Sequence, residues 1–188
     1  MTTSQVSAST WKIDAGHSNA EFAVKHLMVS TVKGRFWNID GRLHLDEAEP
    51  SNSWVEARIE VASVDTGIEQ RDAHLRSDDF FNAEAYPYIT FRSKRVEPAD
   101  GERWRVVGDL TIRDVTREVV LDTEFDGVGT VDGKRIAGFT ATTLVNRKDF
   151  GLRYNAVVEG GALVVGDRVR ITLNVEAVEV AGAEATAA

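Results

Sequence analysis

Histidines and carboxylates are the groups with which a chain lacking cysteine would do acid–base or metal chemistry. This chain has four histidines, His17, His26, His44 and His74, and no cysteine. None stands two or four residues from another, the spacings that set two imidazoles on one side of a strand or helix. A zinc or iron site would have to be assembled from separate segments with carboxylates such as Asp14 or Asp72, so no metal is expected. Gly16-His17-Ser18-Asn19-Ala20 approaches the G-x-S-x-G nucleophile elbow, but Ala20 replaces the last glycine and a strand-like pattern follows where the elbow needs a helix. The plainer reading is a turn in which Ser18 or Asn19 bonds the backbone. Gly127-Val128-Gly129 lacks the third glycine of a dinucleotide fingerprint and reads as a hairpin loop. Two polar groups remain, Arg71, Asp72 and His74 in one stretch and Asn146, Arg147 and Asp149 in another. With His17 they are candidates either to grip the head of a ligand or to form a structural network, in which Arg71 or Arg147 pairs with Asp72, Asp79 or Asp149.

The elements that must position these residues alternate with period two. Ala20, Phe22 and Val24 share one face, as do Val55, Ala57, Ile59 and Val61; Trp104, Val106, Gly108, Leu110 and Ile112; and Val169, Ile171, Leu173, Val175 and Ala177. Long runs cover 29–45, 54–64, 88–96, 104–125, 136–147 and 168–180, with turn signals at Asp14 to Gly16, Glu47 to Ser53, Pro98 to Gly101, Gly127 to Gly133 and Gly160-Gly161. This predicts an all-β chain of about eight antiparallel strands closing into an extended barrel, since long tilted strands can enclose a tunnel. One segment differs: Thr66 followed by Glu69 suggests a capping box opening a short helix over 67–77, with Ile68 and Leu75 on its buried face and Arg71 and Asp72 at the edge. Beyond it, Phe80 and Phe81 beside Asp78 and Asp79 read as a structured lid or plug.

Composition narrows the function classes. The formal charge is -8, from 30 acidic and 22 basic residues. Lys and Arg are scattered along the chain, so nucleic acid is not an expected partner and an anionic membrane would be repelled at long range. No run approaches the roughly 20 apolar residues of a membrane span, so stable insertion is not expected. Met1 to Thr10 hold neither Lys nor Arg nor an apolar run, which leads to the expectation of a cytoplasmic protein. Residues 1–9 and 181–188 read as disordered tails flanking one domain over 10–180.

Five motifs in order then make a resemblance. They are Asp14 to Leu27 with Val32-Lys33-Gly34-Arg35-Phe36; Ser63 to Thr66 running into Arg71 to Phe81; Tyr86 to Phe91; Gly108 to Thr116; and Asn146 to Gly151. Together they resemble the YceI family of polyisoprenoid-binding, lipocalin-like proteins across about residues 10 to 180. The resemblance implies a lipocalin-like barrel holding a long isoprenoid or similar amphiphile, with no established catalytic role for the family as a whole. Members are often periplasmic with a signal peptide and often dimeric, so a homodimer is an implied state. The chain departs from that pattern at the signal.

A non-enzymatic carrier or store of a hydrophobic-tailed small molecule is therefore expected, the ligand being a polyisoprenoid, an isoprenoid quinone or a fatty-acid derivative, with no other cofactor. Each buried methylene contributes about 0.8 kcal/mol, so a tail needs no polar code. Candidate tail contacts are Phe22, Val24, Phe36, Ile59, Val61, Phe80, Phe81, Phe91, Leu110, Ile112, Phe139, Leu144 and Phe150, with Trp37, Ile39 and Leu43 on the face opposite Phe36. The alternatives are a barrel enzyme using His17, Asp72, His74 or Arg147 on a small lipophilic substrate, or a protein-interaction scaffold.

Overall fold

The computed structural model describes residues 9–161 and 163–180; the tails expected at 1–9 and 181–188 lie outside these residues except for Ser9, which opens the first strand. The elements are β1 (Ser9–Ile13), β2 (Asn19–His26), β3 (Ser30–Phe36), β4 (Ile39–Leu45), β5 (Trp54–Glu60), β6 (Val64–Asp65), α1 (Glu69–Arg76), β7 (Tyr88–Pro98), β8 (Arg103–Ile112), β9 (Val115–Val131), β10 (Lys134–Asn146) and β11 (Val165–Glu179). Every strand pairing is antiparallel. β1 and β2 both lie along β11 and form one stave broken at Asp14–Ser18. β3 and β4 make a second, broken at Trp37–Asn38, because β3 pairs with β2 and β4 with β1. β5 and β6 make a third, interrupted by a 3-10 turn at Val61–Ser63. With β7 to β11 these close an eight-stave barrel. The expectation of a closed barrel of about eight long strands with one short helix holds.

The three breaks lie side by side, and side chains there take over ladder bonds that the backbone loses. Ser18, only 3% exposed, donates through Oγ to the Glu176 carbonyl and accepts from the Glu176 N–H. The Ser63 hydroxyl accepts from the Asn38 N–H, and the Trp37 N–H donates to the Ser63 carbonyl. This meets the rule that buried backbone groups must be paired. The breaks also reset which residues face inward: Phe36, Ile39 and Leu43 are all buried, although period two set Ile39 and Leu43 opposite Phe36, and only Trp37 points out.

Other departures from the sequence reading have equally local causes. The run 104–125 is two strands, since Arg113 adopts φ 56° in a tight turn that its neighbours do not advertise. Gly127-Val128-Gly129 belongs to β9 rather than to a hairpin loop, and the register shifts opposite it at Gly138/Phe139. α1 has no side-chain cap, because it starts at Glu69 with the apolar Ile68 in the N-cap position while the Thr66 hydroxyl bonds Asp72, and Ile68 is 52% exposed while Leu75 packs on the core. Leu144 points outward, 48% exposed, since the unbroken β10 turns Phe139, Ala141 and Val145 inward and so must turn Leu144 out.

Inside, Phe22 crosses over Gly34, where an added Cβ would overlap its ring, and Phe91 crosses over Gly108 in the same way. Ser18→Ala removes both bonds to Glu176 at a buried position and is expected to cost about 1–3 kcal/mol. Urea unfolding checks this; a variant as stable as the parent would show that the hydroxyl does not replace the ladder.

Candidate ligand-binding site

The inward faces form three apolar clusters. Some of their members are packed shut, among them Phe36, Val61, Leu110, Ile112 and Phe150. Others on the same inner face stay half-buried: Phe22, Val24, Ile59, Phe91, Val119, Phe139, Ile171 and Leu173. Phe22 is reached beside the unpaired stretch of β3, where it lines a pocket with Lys33, Gly34, Arg35, Asp65 and Thr66, while the others lie along the inner face of the staves. Most of the predicted tail contacts thus face the lumen or its packed floor. Leu144 does not, and Phe80 lies at the mouth.

The two ends differ. At one, Arg135 bridges Glu47 (2.7 Å) and Glu179 (3.1 Å) and lies over the Trp11 ring, whose residue is fully buried. The two carboxylates, Glu47 first, hold the Arg135 guanidinium above its ordinary range, so the plug stays charged. At the other end α1 and the segment from Ser77 to Pro87 form a roof. Arg76 donates to the carbonyls of Ala62 and Val64, and Arg113 reaches across to the Asp78 carboxylate and the Phe80 carbonyl. Phe81 meets Phe36 edge-on with ring centroids 5.5 Å apart, so this side of the roof continues the core.

The polar candidates fall into separate places. Asp72, 4% exposed, accepts from the Thr66 N–H (2.9 Å) and hydroxyl (2.6 Å), while Arg71 donates to the same hydroxyl (2.7 Å) and to the Thr66 carbonyl (2.9 Å). Thr66 therefore joins Arg71 to Asp72, which fixes the start of α1 to the end of β6. His74 sits 2.8 Å from Asp79 and packs edge-on against Phe80 and Tyr154. Arg147, 4% exposed, donates to the carbonyls of Leu152, Tyr154, Val165 and Gly166 and pairs with Asp167 rather than with Asp149. Burial pulls its pKa down and Asp167 opposes that. Its donors are used in tying the 151–166 segment to β11, which makes it a structural residue. Asn146 caps the 3-10 turn Arg147–Phe150 by accepting from the Lys148 N–H, and Asp149 is exposed.

His17 lies apart from these, near the C-terminal end of β11. Its Nδ1 is 3.0 Å from Asp14 Oδ2 and 3.6 Å from Glu176 Oε1, the one grouping of metal-ligating residues among those described. It does not meet Asp72, His74 or Arg147, so the residues named for a barrel enzyme form no common site. The sequence reading missed Arg76, Arg113 and Tyr154, which build the roof. Their signal was weak, for Arg76 acts mainly through backbone carbonyls, Arg113 reaches Asp78 and Phe80 across more than thirty residues, and Tyr154 makes ring contacts with segments distant in sequence.

These features define a long antiparallel barrel with an apolar interior, plugged at one end and roofed at the other. The chain belongs to the YceI-like domain family, whose profile matches residues 11–177. UPF0312 proteins of Staphylococcus aureus, strains MSSA476 and MW2 among them, are 37% identical over 170 residues, 89% of this chain and 96% of theirs. A YCEI protein of Campylobacter jejuni is 35% identical with TM-score 0.71, over 84% of this chain and 90% of that one. In fold alone, BcnA of Burkholderia cenocepacia is similar at 23% identity and TM-score 0.75, covering 87% and 98%. So is a polyisoprenoid binding domain from Saccharophagus degradans, at 20% identity and TM-score 0.64, covering 90% and 98%.

Two outcomes follow. Arg147→Ala removes the donor that the Leu152, Tyr154 and Gly166 carbonyls share, leaving Val165 to Asn155 and Asp167 to Lys148, and is expected to cost about 3–5 kcal/mol in thermal unfolding, with little rescue by Arg147→Lys, whose single ammonium cannot reach them all. The hydrogen bond to Asp14, and then Glu176, raises the His17 pKa above 6.5. The stabilisation is complete below about pH 6.5, where unfolded imidazole is also protonated, and fades as pH rises through the folded value. An NMR titration of His17 should shift toward the ordinary value in Asp14→Asn; an unchanged midpoint would contradict the pairing.

Proposed function

We propose that the barrel binds, stores or carries a long hydrophobic chain, an isoprenoid, an isoprenoid quinone or a fatty-acid derivative, without catalysing its conversion. The observation that carries this reading is the continuous apolar inner face of the staves, on which Phe22, Ile59, Phe91, Phe139, Ile171 and Leu173 are only half-buried. Water gains little against such a wall, whereas a chain gains about 0.8 kcal/mol for each methylene it buries, enough over a short tail to exceed the ordering cost. The polyisoprenoid binding domain from Saccharophagus degradans, with its similar fold, supports the same ligand class. A carrier needs no metal or other cofactor, and the dispersal of His17, Asp72, His74 and Arg147 into separate contacts favours binding over turnover.

Native mass spectrometry of protein purified from its own host without organic solvent tests the reading. A bound series differing by isoprene units supports a prenyl carrier. Protein at bare mass, still empty after incubation with quinones and fatty acids, overturns it.

A further inference from the structure

The roofed end carries a surface that neither the lumen nor the roof uses. The β2–β3 hairpin turns through Leu27 and Met28, both at positive φ, and its tip exposes Met28 (71%) and Val29 (83%). The Leu27 N–H donates to the Val164 carbonyl, and Val157 bridges Leu163, so the tip lies beside a second loop that exposes Val157 (68%), Val158 and Leu163. Two adjacent apolar loops at one end of a barrel leave large side chains that nothing covers among the described residues.

Directly behind this tip, the outer face of β11, β2 and β3 gathers the cations that seem scattered in sequence. Lys25, Lys33, Arg35, Arg168 and Arg170 are all exposed. The register sets Arg170 opposite Ala23 and Ala23 opposite Lys33, with Arg35 opposite Glu21 on the next rung. Among the described residues none of the five makes an ion pair, although most other cations of the barrel do. The carboxylates on this side are Glu21 on the central strand and Asp65, which share a groove with Lys33, Arg35 and Arg170, Asp167 on β11, which is taken up by Lys148 and Arg147, and Glu159 in the loop. Leu144 lies beside Arg170 on the same face.

We infer that this end docks on an anionic lipid bilayer, with Met28, Val29, Val157, Val158 and Leu163 entering the acyl boundary while Lys25, Lys33, Arg168 and Arg170 meet the phosphates. Apolar loops flanked by cations are the requirements for interfacial binding. The formal charge of -8 opposes approach from afar, but at physiological salt fields beyond roughly 8 Å are screened and the nearby face governs contact. A second copy of the chain is a poor occupant, since it would set the same five cations against each other. Nucleic acid would leave the apolar tip unsatisfied. The inference is compatible with a carrier that loads from a membrane, but it rests on the surface alone.

Vesicle flotation with the full chain tests it. Vesicles of phosphatidylcholine with phosphatidylglycerol should carry the protein upward, phosphatidylcholine alone should not, and added salt should release it. Lys33→Gln with Arg170→Gln is expected to lower partitioning roughly 30-fold, and Val29→Asp should also weaken it. Lys134→Gln with Arg103→Gln, exposed cations at the plugged end, should change nothing. Equal binding to both vesicles, binding to neither, or a stable protein complex formed through the tip would overturn the inference. Native mass spectrometry on the same preparation separates the two readings. A loaded protein that ignores vesicles refutes docking alone, and an empty protein that floats refutes the carrier alone.

Discussion

A closed ladder of long strands depends on every buried N–H and carbonyl finding a partner, even where the staves change direction. Here three neighbouring staves break at one level, and the bonds lost there are taken up by Ser18, Asn38 and Ser63. The breaks let β1, β4 and β5 wrap one half of the barrel while β2, β3 and β6 wrap the other. They also reset the alternation, so that Phe36 and Ile39 both reach the interior although an odd number of positions separates them. The composition of the lumen follows from this backbone constraint.

The same constraint makes the ends unequal. At the plugged end the staves remain paired, and an Arg135 bridge over Trp11 seals what side chains leave open. At the other end β6 is only two residues long, so most of β3 has no partner on that side. α1 and the segment after it fill the space, held by Arg76 and Arg113 bonding to carbonyls and by the Thr66 link between Arg71 and Asp72. Polar residues that looked like a headgroup site are thus largely occupied in holding the roof. What remains available to a ligand is apolar wall, which suits recognition by hydrophobic burial more than by hydrogen bonds.

Much of this was legible in sequence because period two is a direct readout of a two-faced strand. The long alternating runs placed Phe22, Ile59, Phe91 and Phe139 on the inner face before any contact was known. The motifs from Asp14 to Gly151 placed the chain in its family. Parity failed where the backbone broke step, at Ile39 and Leu43, and Leu144 was set inward against the parity of its own strand. The turn at Arg113-Asp114 was hidden because it is only two residues long and Ile112 and Val115 on either side of it continue the apolar pattern. The capping box at Thr66 misled because α1 begins only at Glu69 with Ile68 in the N-cap position, and the Thr66 hydroxyl bonds Asp72. Arg147 could be recognised as an important residue but not assigned, since a structural arginine and a ligand-binding one look alike until their partners are known.

In the proposed function the inner face, and not the outer one, takes up a hydrophobic chain. Thr143 and Leu144 are neighbours on β10 with opposite orientations, Thr143 half-buried toward the interior and Leu144 exposed outside. Binding of a fluorescent polyene fatty acid should be measured to Thr143→Trp and Leu144→Trp, with circular dichroism confirming that each is folded. The first is expected to lose at least about tenfold in affinity, a cost of about 1.4 kcal/mol, while the second binds like the parent. Equal binding by both variants, or loss only in Leu144→Trp, would contradict a ligand held inside the barrel.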